Sequence, residues 1–365
     1  MTRHIFAGAI TPIGFVNFFD HIMPLEKAKK RYFLKGSSGS GKSTFIKKIA
    51  AEFESAGFST ERFHCANDPD SLDAMSVSNQ GICIIDATSP HACDPEIPVA
   101  VDEIIDFTKF IDEKKIIRHV DEISSLLRAK KPLAKKAQGY FAAAGSIYLA
   151  ERAACEIALN RHSLRKLAKE WISLFDTSEM TNHAGINRKL FLSAVTPDGF
   201  ISFADSSFSG CKVCAAHAES GIGTDIFLSE LRDESNANGI NTESFYCPFA
   251  PDILEYLHLP EMNTVFAAVG SRFGYSGNVD EKINIDRYID TSILRSIKPD
   301  IEQGNELFDR TLDATIDIMK TSRVLHNKIE SLYASAIDFE KINSLTEKMI
   351  QEILIPYDSA FSKEI

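Results

Sequence analysis

A glycine-rich segment with a lysine and a hydroxyl residue is the part of this sequence most suited to chemistry. Residues 36–43, GSSGSGKS, satisfy the pattern GxxxxGK[ST]. An apolar run at residues 31–35 precedes the segment and an amphipathic run at 44–53 follows it, which predicts a strand, a loop and a helix. In that setting consecutive backbone N–H groups converge on phosphate oxygens at a helix N-terminus. The segment therefore predicts a phosphate-binding loop.

The side chains of this loop have distinct expected roles. Lys42 is expected to act in catalysis by reaching the β and γ phosphates of a nucleotide, and the Ser43 hydroxyl is expected to ligate Mg²⁺. The residues expected to bind the nucleotide are Gly36, Ser37, Ser38, Gly39, Ser40, Gly41, Lys42, Ser43 and Thr44. The expected cofactors are ATP and Mg²⁺.

A carboxylate at the end of a buried strand is the second part that such a site needs. The run ICIID at residues 82–86 supplies it, and we expect Asp86 to hold the Mg²⁺ and its water shell. No glutamate follows Asp86, so the adjacent glutamate that polarises water in many motor proteins is missing. The guanine signature NKxD is also missing, because the nearest match, at residues 327–330, ends in Glu330. ATP is therefore favoured over GTP.

The chain contains an internal duplication. Residues 3–20 align without gaps on residues 188–205, with nine of eighteen positions identical. Further along, residues 35–72 align on residues 217–254. A repeat of this length predicts that the same fold occurs twice.

The second copy of the loop has lost the residues that carry the chemistry. The replacements are Ala218 for Gly36, Thr224 for Lys42, Asp225 for Ser43, and Ala268 or Val269 for Asp86. A carboxylate facing the phosphates, with the lysine gone, repels a nucleotide. Only the first copy is expected to bind ATP.

Polar residues near the end of the second predicted strand differ between the copies. His64, Asn67 and Asp68 are replaced in the second copy, and they lie at the edge where parallel α/β sheets place their ligands. Asp68 is the candidate general base or outer-shell Mg²⁺ ligand, and a solvated loop aspartate is the alternative. His91, beyond Asp86, is a candidate sensor of the γ-phosphate, with a loop histidine of no catalytic role as the alternative.

Two other acidic residues persist in both copies. Asp70 and Asp73 align with Asp252 and Glu255, and their D-x-x-[DE] spacing suits the cap of a helix. Because they persist where the lysine is lost, we interpret them as structural.

The order of the predicted elements indicates an α/β protein. Strands at residues 58–65 and 81–85 follow the first predicted helix, and this βαβ order predicts a parallel sheet flanked by helices. Helical periodicity covers residues 142–175 and 306–355. We therefore predict two tandem P-loop NTPase-like domains, residues 1–184 with the intact loop and residues 185–365 with the degenerate copy, each ending in a long helical segment.

Composition limits the partners and the location. A net charge of −11 argues against a broad nucleic-acid surface, and the basic segment at residues 114–136 is better explained as a solvated helix face. The seven cysteines lack regular spacing, which indicates reduced thiols and a cytoplasmic protein. No apolar run approaches the roughly 18 residues that a membrane span needs. Neither nucleic acid nor a membrane is an expected partner.

The motifs together resemble an uncharacterised bacterial family of tandem P-loop proteins, labelled ATPase or nucleotide-kinase-like. The resemblance rests on RHIFAGAITPIGF, GSSGSGKST, FHCANDPDSLD and IIDATSPHACDP, followed by a weaker second pass. It implies a P-loop fold and ATP binding, and on matching positions it points to Gly36, Gly41, Lys42, Ser43 and Asp86. It implies no particular substrate.

Two functions remain open from the sequence. The first is a Mg²⁺-dependent ATPase in which the inactive copy serves a protein partner as a docking or regulatory half, with Arg272 available as a second cationic residue. The second is a kinase for a small molecule or nucleotide, with residues 64–68 receiving the acceptor and the basic segment 114–136 closing as a lid.

Overall fold

Two six-stranded mixed sheets organise the chain, one in each repeat. The computed structural model describes residues 2–91, 93–175, 183–270 and 273–361. The strands of the first repeat are β1 (Arg3–Ile5), β2 (Gly8–Thr11), β3 (Gly14–Asn17), β4 (Lys30–Lys35), β5 (Glu61–His64), β6 (Leu72–Val77), β7 (Ile82–Asp86) and β8 (Asp102–Asp106). Six of these form a sheet in the order β1-β5-β6-β7-β4-β8, while β2 and β3 form a separate two-stranded sheet.

The predicted parallel sheet is wrong in one respect, because the sheet is mixed. Strand β4 is parallel to β7 and β8, but β6 runs antiparallel to both β5 and β7. The links from β5 to β6 and from β6 to β7 are short, whereas a parallel crossover needs about a dozen residues or more. Short links force the antiparallel arrangement.

The predicted helix cap at Asp70 and Asp73 is also wrong. Asp73 lies inside β6, whose six residues are all buried, and Asp70 is exposed in the preceding loop. A central strand is buried on both faces and reads as a continuous run without a strict alternation. The D-x-x-[DE] spacing therefore does not mark a helix here.

Helices cover both sheets and agree with most of the helical predictions. They are α1 (Lys42–Ser55), α2 (Glu113–Ile117), α3 (Val120–Glu156), α4 (Arg161–Ile172), α5 (Ala204–Ser207), α6 (Thr224–Ala237), α7 (Thr291–Ala334) and α8 (Phe339–Phe361). Helix α1 confirms the helix predicted after the glycine-rich loop. Helices α3 and α4 confirm the first long helical segment, and α7 and α8 confirm the second.

The second repeat has the same strand order as the first. Its strands are β9 (Asn187–Leu190), β10 (Ser193–Thr196), β11 (Gly199–Ser202), β12 (Lys212–His217), β13 (Thr242–Cys247), β14 (Ala250–Leu259), β15 (Thr264–Val269) and β16 (Glu281–Asn284). The sheet order β16-β12-β15-β14-β13-β9 repeats that of the first sheet strand for strand, read from the opposite edge. The predicted duplication is confirmed at the level of the fold.

The compact units of the structure do not coincide with the two sequence repeats. One unit consists of Met1–Gly8, Asn17–Lys136 and Asp317–Ile365, and the other of Ala9–Val16 and Ala137–Ile316. We call them unit 1 and unit 2. Helix α8 thus belongs with the first sheet, and helix α4 with the second. The boundaries predicted at residues 1–184 and 185–365 describe the repeat in the sequence rather than the packing of the helices.

The core of unit 1 explains why α8 packs there. The apolar face of α1, including Phe45, Ile49 and Phe53, is fully buried against the sheet and against Ile342 and Met349 of α8. Complete burial of one such side chain stabilises a fold by about 1.5–3 kcal/mol. Helix α8 therefore contributes directly to the core around the glycine-rich loop, residues 36–43.

Candidate functional site

The glycine-rich loop connects the buried strand β4 to the first turn of α1. Gly39 and Gly41 have φ angles of +76° and +87°, a region that side chains with a Cβ rarely occupy. Gly41 is the N-cap residue of α1. The N–H groups of the first helical turn lack helical acceptors and carry the positive end of the helix dipole. The loop therefore offers an anion a concave set of backbone donors.

The side chain of Lys42 is buried and lies within the loop. Its Nζ donates to the backbone oxygens of Gly36 at 3.1 Å and Ser37 at 2.7 Å, and it lies 3.4 Å from Ser40 Oγ. The residue as a whole is only 5% exposed, so its ammonium is held by carbonyl oxygens instead of water. A cation held in this way is preorganised to meet a negative ligand at the loop.

Asp86 reaches the loop because its strand pairs with β4. Leu34 lies opposite Asp86 in the parallel pair of β4 and β7, and Asp86 Oδ2 is 3.6 Å from Lys42 Nζ. Thr88, which sequence reasoning did not select, fixes this arrangement. Its N–H donates to Asp86 Oδ1 at 3.0 Å, and its hydroxyl donates to the backbone oxygen of Gly36, also at 3.0 Å.

The other residues of the loop differ in exposure. Ser43 Oγ accepts a hydrogen bond from the backbone N–H of Leu72 at 2.9 Å, which joins the start of α1 to the start of β6. Ser37 Oγ is buried and has no hydrogen-bond partner. Thr44 is exposed, and Ser38 is half-buried. The Ser37 hydroxyl is thus a buried polar atom for which the described part of the chain supplies no partner.

Asp73 is a site residue that sequence reasoning assigned to the scaffold. The antiparallel register pairs Ala74 with Ile85, so the next position on each strand brings Asp73 to Asp86. Burial, followed by the charge of Asp86, raises the pKa of Asp73 to about 8. Its Oδ2 atom is buried and forms no hydrogen bond. Residues 72–77, LDAMSV, are neither continuously apolar nor regularly alternating, so the sequence contains no clear signal that Asp73 lies in a strand.

His91 lies beside Asp73. Its Nε2 is 3.4 Å from Asp73 Oδ2, and its ring stacks on Phe19 with centroids 5.0 Å apart. Burial lowers the pKa of His91 to about 4, so the imidazole is neutral at neutral pH. The structure therefore places His91 next to the carboxylates, as expected for a residue near the site, but packed against an aromatic ring.

Cys65, Asp73 and His91 form the one group of metal-ligand type found within the described part of the chain. One ligand atom from each lies within 4.8 Å of the others. The same cysteine–acid pair recurs in the second repeat, where burial and then the charge of Glu255 raise the pKa of the Cys247 thiol. Because the pair persists beside a loop that has lost its lysine, it belongs to the shared fold and does not by itself indicate a metal site.

The loop between β5 and β6 places Asp68 at the edge of the site. Asp68 Oδ2 accepts a hydrogen bond from Ser71 Oγ at 2.6 Å, and the carboxylate is half-buried. Its charge contributes to the raised pKa of Asp73. Asn67 is exposed in the same loop. The charge of Asp68 thus acts on Asp73 beside Asp86, and its role as a general base stays a prediction.

His64 serves the fold and not the site. Its Nδ1 is 2.7 Å from the backbone oxygen of Pro69, and its Nε2 is 2.8 Å from His4 Nδ1. Burial lowers the pKa of His64 to about 4. A neutral ring that donates from Nδ1 to a carbonyl and accepts at Nε2 fits both contacts. His64 therefore anchors the loop that carries Asp68.

Two residues distant in the sequence complete the surroundings of the loop. A Cβ atom placed on Gly39 would lie 2.5 Å from the backbone oxygen of Glu330 on α7. Lys130 on α3 contacts His326 of α7, with Nζ 2.9 Å from Nδ1, and its charge acts on Glu330. The short motifs of the loop contain no information about either residue. Arg272, considered above as a second cation, lies outside the described residues.

The degenerate loop in unit 2 contains an ion pair. Arg152 of α3 lies 2.6 Å from Asp225, the residue that replaces Ser43, and the two side chains are only 10% and 14% exposed. Arg152 also lies 3.5 Å from the backbone oxygen of Gly221. A guanidinium therefore neutralises the carboxylate that repels phosphate at this loop.

Comparisons with known proteins supply no further assignment. The chain matches no family model, no curated protein and no solved structure with which it was compared. Of the helices in the described ranges, none combines the length and the apolar composition that crossing a bilayer requires. All seven cysteines lie within the described ranges, and none of them takes part in a disulfide bond there.

Proposed function

We propose that the protein binds Mg²⁺-ATP once, at residues 36–44, and hydrolyses it. The observation that carries this proposal is the position of Lys42, whose Nζ lies between the carbonyls of Gly36 and Ser37 and 3.6 Å from Asp86. A buried ammonium, a glycine-rich turn and a helix N-terminus at one point form a receptor for phosphate. This proposal agrees with the resemblance to tandem P-loop proteins.

The oxygen atoms beside Lys42 fit Mg²⁺. Ser43 Oγ and the carboxylates of Asp86 and Asp73 are hard oxygen donors, and Asp73 Oδ2 is a buried carboxylate oxygen without a hydrogen bond. In the proposed site Ser43 and Asp86 hold the ion, and Asp73 lies in the outer shell. When bound, Mg²⁺ neutralises charge on the β and γ phosphates. The Ser37 hydroxyl is then available to donate to a phosphate oxygen.

Each remaining residue has a role in the proposed hydrolysis. Lys42 stabilises the charge that develops on the transferred phosphoryl group, and the backbone N–H groups of the loop orient it. Asp68, held by Ser71, accepts the proton of the attacking water. In this proposal the second repeat takes no nucleotide, because Thr224 replaces the lysine and the Arg152–Asp225 ion pair fills the place of the hydroxyl residue. We propose that it serves a protein partner as a docking or regulatory half.

One observation favours a second function, phosphoryl transfer to a small molecule or nucleotide. Lys130 belongs to the basic segment at residues 114–136, and its charge acts on Glu330 beside Gly39. Burial lowers the pKa of Lys130, so it is less hydrated than a surface lysine. A lysine in this position suits a lid that contacts phosphates during transfer.

Nucleotide titration and product analysis test the proposal. Calorimetric titration with Mg²⁺-ATP is expected to give one site per chain in the wild type and none in Lys42→Ala. Phosphate release is then measured with and without a panel of nucleosides, nucleotides and sugars. Release without an acceptor supports hydrolysis, and a phosphorylated acceptor supports the kinase function. Wild-type protein that binds no nucleotide, or a Lys42→Ala variant that binds normally, refutes the proposal.

A further inference from the structure

Helix α7 lies directly against the glycine-rich loop of unit 1. A Cβ atom on Gly39 would lie 2.5 Å from the backbone oxygen of Glu330 and 2.8 Å from its Cα atom. Real Cβ atoms do not approach backbone this closely, so position 39 accepts no residue but glycine while α7 occupies this position. The helix backbone therefore covers the middle of the loop.

The side chain of Glu330 is turned to the same donors that an anion would use. The Glu330 carboxylate lies near the backbone N–H of Gly39 and is attracted by the charges of Lys130 and Lys42, while burial, followed by the charge of Asp68, raises its pKa. His326, one helical turn earlier, lies 3.5 Å from Glu330 Oε1. A carboxylate and a phosphate are recognised by the same groups, namely backbone N–H donors and ammonium ions. The backbone of Glu330 thus covers Gly39, and its carboxylate lies among groups that would attract a phosphate.

The equivalent position in unit 2 carries the opposite charge. Ile337, which follows α7, forms an isolated antiparallel β-bridge with Ile111 in unit 1. Leu159, which follows α3, forms the equivalent bridge with Ile289 in unit 2, and the two bridges align the end of α7 with the end of α3. Seven residues before Ile337 is Glu330, and seven residues before Leu159 is Arg152.

Each of these two residues is complementary to its own loop. Glu330 lies at the loop that contains Lys42, whereas Arg152 pairs with Asp225 at the loop that contains no lysine. In both units, the same helical position thus carries a charge opposite in sign to the charged residue of the loop that the helix covers. Two independent charge matches are stronger support for a specific contact than either alone.

We propose that Glu330 is an internal ligand of the glycine-rich loop, and that the phosphates of a nucleotide must displace it in order to bind. The inference rests on the proposed nucleotide site. Binding of nucleotide then removes a carboxylate from Gly39 and Lys42 and requires the segment of α7 around residue 330 to move from the loop. A ligand that binds only the open form has an apparent Kd raised by the reciprocal of the open fraction.

Calorimetric titration of full-length variants with Mg²⁺-ATP tests the inference. Glu330→Gln keeps the size of the side chain but removes the charge that competes with phosphate. We expect its Kd for Mg²⁺-ATP to be lower than that of the wild type by about tenfold, as for a loop that Glu330 occupies about nine-tenths of the time. Glu347→Gln, an exposed glutamate on α8, is the matched control and is expected to bind like the wild type.

The outcomes separate this inference from the proposed function. Equal Kd values for wild type and Glu330→Gln overturn the inference and leave the nucleotide site in place. Weaker binding, or an unchanged Kd with lost turnover, also overturns it, because Glu330 then assists the nucleotide or the reaction. Absence of binding in every variant removes the proposed function and the inference together. Binding by Glu330→Gln alone supports both.

Discussion

The ammonium nitrogen of Lys42 lies 3.6 Å from Oδ2 of Asp86, at the end of two parallel strands that pair directly. Because the strands are neighbours, the cation from the loop and the carboxylate from β7 meet without any long-range adjustment. A divalent cation would be attracted by the carboxylate of Asp86, and a phosphate by the ammonium of Lys42. Under the proposed function, the pair would provide both halves of a site for a metal–nucleotide complex.

Replacement of Lys42 tests the first half of this pair. Lys42→Ala is expected to abolish turnover while leaving the fold intact, because its ammonium acts on the charge of the phosphates. Steady-state phosphate release measures the effect. The control is Thr224→Lys, which restores a lysine to the degenerate loop but leaves Asp225, and we expect it to create no second nucleotide site by calorimetry. A stoichiometry of two in the wild type or in Thr224→Lys contradicts the assignment, and so does any nucleotide site in Lys42→Ala.

Asp68 and Asp70 give a matched comparison within one loop. Asp68→Asn is expected to lower turnover by about 10²-fold with little change in melting temperature, because a carboxylate that accepts a proton cannot be replaced by an amide. Asp70 is exposed and precedes a strand instead of a helix. Asp70→Asn and Asp70→Ala should therefore leave turnover unchanged and should alter the free energy of unfolding by no more than about 0.5 kcal/mol. Thermal melts and phosphate release decide the matter. Full activity in Asp68→Asn would exclude it as the base.

The buried carboxyl group of Asp73 makes stability depend on pH. Its pKa is raised from 3.8 to about 8, first by burial and then by the charge of Asp86. Between these values the folded protein keeps a proton that the unfolded chain releases, so wild-type stability falls as the pH rises from about 4 to about 8. The asparagine side chain of Asp73→Asn cannot ionise, so the stability of this variant does not fall with pH for this reason.

The measurement is the urea midpoint of both proteins without nucleotide at several pH values. The advantage of Asp73→Asn should increase with pH by at most about 1.4 kcal/mol per unit, and should level off above about pH 8. Asp70→Asn is the control and should show a constant difference from the wild type. An advantage that is independent of pH would show that Asp73 is already ionised in the folded protein.

The ion pair of the degenerate loop is expected to stabilise unit 2. Arg152→Ala leaves Asp225 buried without its cation, which should cost about 3 kcal/mol in the free energy of unfolding. Arg165→Ala is the matched control, because Arg165 also contacts a carboxylate, that of Glu230, at 2.6 Å but has a side chain that is 61% exposed. An exposed pair contributes about 0.5 kcal/mol. Urea denaturation compares the two, and equal effects would mean that the Arg152 pair is fully solvated.

Sequence reasoning was most successful where local spacing determines structure. The strand before the loop, the helix α1 after it and the strand that ends at Asp86 all follow from patterns within a few residues, and the structure confirms them. Strand β6 was not predicted at all, because an entirely buried strand shows no alternation of apolar and polar residues, and its antiparallel direction follows from links too short for a parallel crossover. For the same reason Asp73 was assigned to a helix cap, although its strand places it beside Asp86.

The sequence alone determined that one loop has the glycines, the lysine and the hydroxyl of a phosphate site and that its duplicate does not. These features depend on residue type and spacing along the chain. Only the tertiary structure decided which helices cover which sheet, and hence that Glu330 lies at Gly39 and Arg152 at Asp225. An amphipathic helix shows in its sequence that one face must be buried, but the surface that buries it is set by the packing of the whole chain.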